Sequence, residues 1–153
     1  MMKALRVPLL WLAVVLFLGS AQFGAHSTGA WVIPALTWIV PWATPRELNG
    51  LHLVVRKLVH LTEYAILARA WMHGLLAWRR VSVRVAAWAA LLICVACAFA
   101  DEAHQSMLPS RTGSVADVVL DCLGALMMLM MLRARYEDAA APAVGAPTPE
   151  AGG

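Results

Sequence analysis

Apolar residues along this chain come in long blocks, not at the short alternations of a half-buried strand. Four blocks stand out: about Leu5 to Ala21, Leu51 to Trp78, Val85 to Ala100 and Val115 to Leu132. Each approaches the roughly 20 residues a helix needs to cross a hydrocarbon core. Helix is the only open-ended form that satisfies its own backbone hydrogen bonds there. The pattern predicts an all-α protein, a polytopic membrane helical bundle with about four transmembrane helices. The first block follows Lys3 and Arg6 and ends in Gly19-Ser20-Ala21, so a signal peptide is its alternative reading. The other three blocks hold the chain in the membrane on either reading.

Between the blocks, basic residues cluster on one side. Lys3 and Arg6 precede the first block. Arg79, Arg80 and Arg84 separate the second and third. Arg133 and Arg135 follow the fourth. Four crossings bring all of these to one face, which the positive-inside rule makes the cytoplasm, with both termini there. Residues 22–50 then lie outside. Their "WVIPALTWIVPWATP" is apolar, broken by Pro34, Pro41 and Pro45, and carries Trp31, Trp38 and Trp42. Tryptophan favours the headgroup level, so the stretch reads as an outer interfacial loop, with an extra half-helix as the alternative. The tail, residues 137–153, is rich in Ala, Pro and Gly without periodicity and is expected to be a disordered cytoplasmic segment.

The polar residues inside the blocks are not scattered. In "LHLVVRKLVHLTEYAILARA" a helical rotation of about 100° per residue puts Arg56, His60 and Glu63 in one arc, with Lys57 and Tyr64 at its edge. Asp101, Glu102, His104 and Gln105 end the third block. Asp117 and Asp121 share a face in the first turns of the fourth, and Gly124 continues that face as a point of close helix approach. All three sets fall at the same, outward membrane depth. Ionisable groups at such depth are costly, and a functional pocket is the default expectation. A few structural ion pairs, such as Arg56 or Lys57 with Asp117 or Asp121, are the plainer alternative. Ser114 stands three residues before Asp117, as in a capping box. With Arg111 and Gly113 nearby, that helix start is suited to a phosphate.

Composition narrows the classes. The chain of 153 residues is 61% hydrophobic and 14% charged, far greasier than a soluble domain. A net charge of +3 with no basic stripe gives no ground for a nucleic-acid partner. Three cysteines, Cys94, Cys97 and Cys122, lie in apolar runs and read as packing residues, not a disulfide framework. His60, Glu63, Glu102, His104 and Asp117 are acceptable metal-ligand types, but their spacing matches no standard site, and no cofactor is expected.

"RKLVHLTEYAILA" resembles the K-x-x-H-x-x-E-Y-x-x-L motif of the VanZ-like family. "DEAHQSMLPSRTGSVADVVLDCLGA" resembles its second motif, D-E-x-H-Q-x-x-x-P-x-R-x-x-x-x-x-D-x-x-x-D-x-x-G. Leu61, where Phe is frequent, and Ser110, where Gly is frequent, depart from the pattern. The resemblance implies a small multi-helix membrane domain, here residues 1–136, in a family named for an accessory determinant of teicoplanin resistance. It implies motif positions at Lys57, His60, Glu63, Tyr64, Asp101, Glu102, His104, Gln105, Arg111, Asp117 and Asp121.

Three functions compete. In an enzyme, His60 and His104 act as general acid or base, with Glu63, Asp101, Glu102 or Asp117 orienting an imidazole. Arg56, Lys57, Tyr64, Gln105, Arg111, Ser114 and Asp121 then hold a phospholipid or lipid-linked cell-envelope head group. In a binding module the same pocket holds the lipid or cell-wall precursor without chemistry. In a structural bundle the polar residues only fasten helices. Each reading places the chain in a bacterial cytoplasmic membrane.

Overall fold

The computed structural model describes residues 3–79, 81–108 and 114–140. It is all-helical. Helix α1 (Arg6–Leu18) leads through a 3₁₀ turn (Ala21–Phe23) into α2 (Ala25–Ile39). Three long helices follow: α3 (Pro45–Arg79), α4 (Val83–Ser106) and α5 (Val115–Ala140).

Helices α3, α4 and α5 outrun their apolar blocks, and caps and local ion pairs carry them past the greasy stretch, whereas α1 stops short of its block. Ser82 caps α4, its side chain accepting from the Val85 N–H at 3.3 Å. Glu137 pairs with Arg133 one turn back at 2.8 Å, and α5 continues through Ala140. Residues 137–140 are therefore helical, not part of a disordered tail; the rest of the expected tail lies outside the described residues. The stretch 22–50 is likewise not a loop. It forms α2 and the first turn of α3, with Pro34 accommodated inside α2. Trp31, Trp38 and Trp42 along it are each about four-fifths exposed.

Two helices, α4 and α5, are long and apolar enough to cross a membrane. By contrast α1 has only 13 residues, and α3 has 35 but carries the polar stripe.

Side-chain contacts fix the relative directions. Trp11 Nε1 donates to the Glu63 carbonyl at 2.9 Å, and a methyl on Gly74 would lie 3.0 Å from the Ala4 carbonyl oxygen. Thus α1 and α3 are antiparallel. Lys57 meets Asp117 at one end of the α3–α5 pair and His73 meets Tyr136 at the other, so those two are parallel. The buried face of α4 reads Ala86, Ala90, Cys94 and Ala98, a small residue every fourth position. This spacing lets helices without a hydrophobic driving force approach closely. Cys94 is one of these packing residues. Tyr64, Leu67, Ala68 and Met72 of α3 and Ala125, Leu129 and Leu132 of α5 complete the core.

The tightest approach is at Gly124. A Cβ there would run into the Leu61 carbonyl oxygen and lie 2.9 Å from its carbon. Only a glycine lets α5 rest on the α3 backbone at this point.

Candidate functional site

One end of the bundle gathers the polar side chains. Arg56, His60 and Glu63 recur on one face of α3, and His52 extends that face by a further turn. Asp101, Glu102 and Gln105 point inward from the last turns of α4, all buried. Asp121, also buried, comes from α5.

The centre of the group is a histidine–carboxylate pair. His60 Nδ1 lies 3.3 Å from Asp121 Oδ1, with the two side chains 12% and 1% exposed. The contact has ion-pair distance without the alignment of a hydrogen bond. A proton on Nδ1, facing the carboxylate, leaves Nε2 as an acceptor. Tyr64 is wholly buried beside this pair, and its hydroxyl has no hydrogen-bond partner among the described residues. The same is true of the second Glu102 oxygen. Buried polar atoms of this kind call for a ligand, ion or water.

Around the pair, the acids have distinct tasks. Asp101 Oδ2 accepts from Gln105 Nε2 at 2.8 Å within α4. The end of α1 sits on Asp101, since a Cβ on Gly19 would collide with its carboxylate. Glu102 accepts the Ser114 backbone N–H, so an acid of α4 caps the start of α5. Asp117 reaches Lys57 Nζ at 2.9 Å in a half-exposed ion pair. Both contacts depart from the capping box expected within Ser114–Asp117. Asp117 turns across to α3, and the orphan amide is satisfied from α4.

On the α2 side of this same α3 face a cleft of about 120 Å³ opens. Leu18, Phe23, Val32, Val55 and Val59 form apolar walls, and Thr28, His52, Arg56, His60 and Glu63 supply the polar groups. Arg56 Nη1 donates to the Phe23 carbonyl at 2.9 Å and to Thr28 Oγ1 at 3.1 Å. A guanidinium has five donors, so these two bonds position the group without exhausting it. Thr28 also contacts His52 Nε2 at 3.1 Å. His60 thus has Asp121 on one side and the cleft on the other.

The structure brings together His60, Glu63, Tyr64, Asp101, Glu102, Gln105 and Asp121, with Arg56, Lys57, Asp117 and Ser114 around them. It does not bring in His104. That ring is exposed on the last turn of α4, about 100° round the helix from the inward face set by Asp101, Glu102 and Gln105. Arg111 lies outside the described residues. Among the described residues no three His, Cys, Asp or Glu side chains converge as a metal-ligand set. His52 and Thr28 are members of the site that sequence reasoning missed. The signal for His52 was its place at i−4 from Arg56 and i−8 from His60. Thr28 had none, because α2 read as loop.

Among known families, the VanZ/LLP1 family model matches residues 6–136. No curated protein and no solved structure matches the chain.

Proposed function

Because this chain belongs to the VanZ/LLP1 family, we propose that it is a multi-pass membrane protein whose α2–α3 cleft takes the head group of a phospholipid or lipid-linked cell-envelope precursor. Two helices apolar enough to span and the family assignment support the membrane setting. The four-crossing topology, with both termini cytoplasmic in a bacterial inner membrane, rests on the placement of the arginines. That topology turns the cleft toward the outer leaflet.

One observation carries the reading: His60, backed by buried Asp121, lines an apolar-walled cleft that also holds Arg56. The walls suit acyl or polyprenyl chain, and the guanidinium suits a phosphate. With its Nδ1 facing Asp121, His60 has Nε2 free to take the proton of a water or hydroxyl attacking the head group, and to return it to the leaving oxygen. Head-group hydrolysis or transfer is the reaction class this supports. A link to teicoplanin susceptibility would follow if the lipid were a cell-wall precursor, and a deletion strain measures it directly.

Lipids co-purifying with the protein, identified by mass spectrometry, are the first test. Arg56→Ala should lose the bound lipid. His60→Ala should keep it and lose turnover on lipid-linked precursors. Identical lipid content in wild type and Arg56→Ala would remove the cleft from consideration.

A second reading, binding without chemistry, is favoured by His104. Its exposure takes the second motif histidine away from the buried acids, and the other imidazole of the cleft, His52, is held against Thr28 at 3.1 Å. Under that reading His60→Ala retains both lipid and phenotype.

A further inference from the structure

A second cleft lies at the opposite end of the bundle, between the start of α1 and the last third of α3. It measures about 390 Å³ and is lined by Lys3, Arg69 and His73, with Val7, Ile66 and Ala70 as apolar walls. Three cation-forming side chains line it and no carboxylate does. Among the described residues Arg69 has no carboxylate within ion-pair distance, although it sits inside a long helix and is exposed on the bundle's flank.

Position sharpens the problem. Gly74 packs on Ala4, level with the start of α1. Arg69 is five residues further along α3, so it lies about 7.5 Å deeper than that level. An unpaired guanidinium at such a depth must reach outward along its own stem toward an anion. Lys3, on the facing wall, converges on the same opening. His73 Nδ1 faces the Tyr136 hydroxyl at 3.3 Å; accepting that proton leaves His73 its own proton on Nε2, a further donor.

We propose that this cleft is a binding site for an anionic phospholipid of the leaflet at that end, its phosphate held by Arg69 and Lys3 and its upper acyl chains on Val7, Ile66 and Ala70. The volume falls in the range of small-molecule sites. Cationic pockets between membrane helices are suited to such head groups. The site is separate from the His60 cleft, and it rests on the reading that α1 and α3 lie across the bilayer.

The test uses the full chain in nanodiscs of equal parts phosphatidylcholine and phosphatidylglycerol, with retained lipids counted by native mass spectrometry. Wild type should hold one phosphatidylglycerol in preference to phosphatidylcholine. Arg69→Gln and Lys3→Gln should each reduce that preference about five-fold, and the double variant should abolish it. Lys3→Gln, at the exposed chain start, serves if the Arg69 variant does not insert. His60→Ala should leave the preference intact, so failure of the outer-cleft reading and failure of this one separate cleanly. Equal retention in wild type and double variant overturns the proposal. So does displacement of the lipid by millimolar inorganic phosphate, which marks a free-anion site instead.

Discussion

At the scale of single residues, two glycines of this chain make opposite predictions. Gly124 lies against the Leu61 backbone, and a methyl there forces α5 away from α3. Gly124→Ala should destabilise by about 1–3 kcal/mol, the usual cost of overpacking a well-fitted contact. Gly50 sits inside α3 with nothing within 4 Å of where a Cβ would stand. Gly50→Ala should stabilise by about 0.5–1 kcal/mol through helix propensity alone. Thermal unfolding in one detergent compares the two. A Gly124→Ala protein that melts with wild type would refute the close approach. The residues that helical rotation alone could place were legible from the sequence: His60 and Glu63 on one stripe, Asp121 and Gly124 on another. His104 was not. It shares a motif with three inward-facing neighbours, but a side chain one position off on a helix points elsewhere. Which of the four turned outward followed from the inward stripe of small residues, Ala86, Ala90, Cys94 and Ala98, which runs on into Asp101 and Gln105 and passes His104 by.

Among the elements, α3 shows most clearly what a hydrophobic pattern conceals. Its first turn is the capping box Thr44-Pro45-Arg46-Glu47. The Glu47 carboxylate accepts from the Thr44 N–H at 2.7 Å and from the Thr44 hydroxyl at 2.8 Å; the Glu47 N–H donates back to that hydroxyl at 3.4 Å. Pro45 at the first helical position is equally suited to a start. These letters were visible in the sequence. They were overlooked because proline-rich apolar residues before them read as loop, and because the block boundary at Leu51 marked hydropathy, not helix. The bonds from Thr44 hold the Glu47 carboxyl below its ordinary value of 4.5. A lowered folded-state pKa contributes stability above the unfolded value, and that contribution is lost as pH falls through the folded one. The protection of the Leu48 and Asn49 amides, measured against their intrinsic exchange at each pH, should therefore fall as the Glu47 carboxyl takes up its proton. Thr44→Ala should lower it about five-fold at neutral pH. Protection at these amides that ignores both changes would show the cap to be idle.

For the whole molecule, the arrangement of ends is the testable statement. Side-chain contacts make α1 antiparallel to α3 and α3 parallel to α5, and they put the His60 group at one end and the Lys3–Arg69 cleft at the other. The all-helical class and the family were legible in four apolar blocks and two motifs. The number of crossings was less so, since block length does not separate a 13-residue α1 from a full span. Single cysteines at Asn49 and Ser106, in a background without Cys94, Cys97 and Cys122, should react with an impermeant maleimide from outside the cell. One at Arg135 should react only after permeabilisation. Labelling of Arg135 in intact cells would invert the proposed orientation.

The disparity between neighbouring helices has a further consequence. At about 1.5 Å per residue, α1 is about 20 Å long and α3 about 52 Å, against a hydrocarbon core of about 30 Å. On the proposed four-crossing topology, lipid beside α1 compresses to meet so short an element, while α3 leans or stands proud of it. Both clefts open at the ends of α1, one at Leu18 and the other at Ala4 and Val7. On that topology each lies where hydrophobic mismatch draws the phosphate layer inward, and bilayer thickness is expected to set how readily either one is filled.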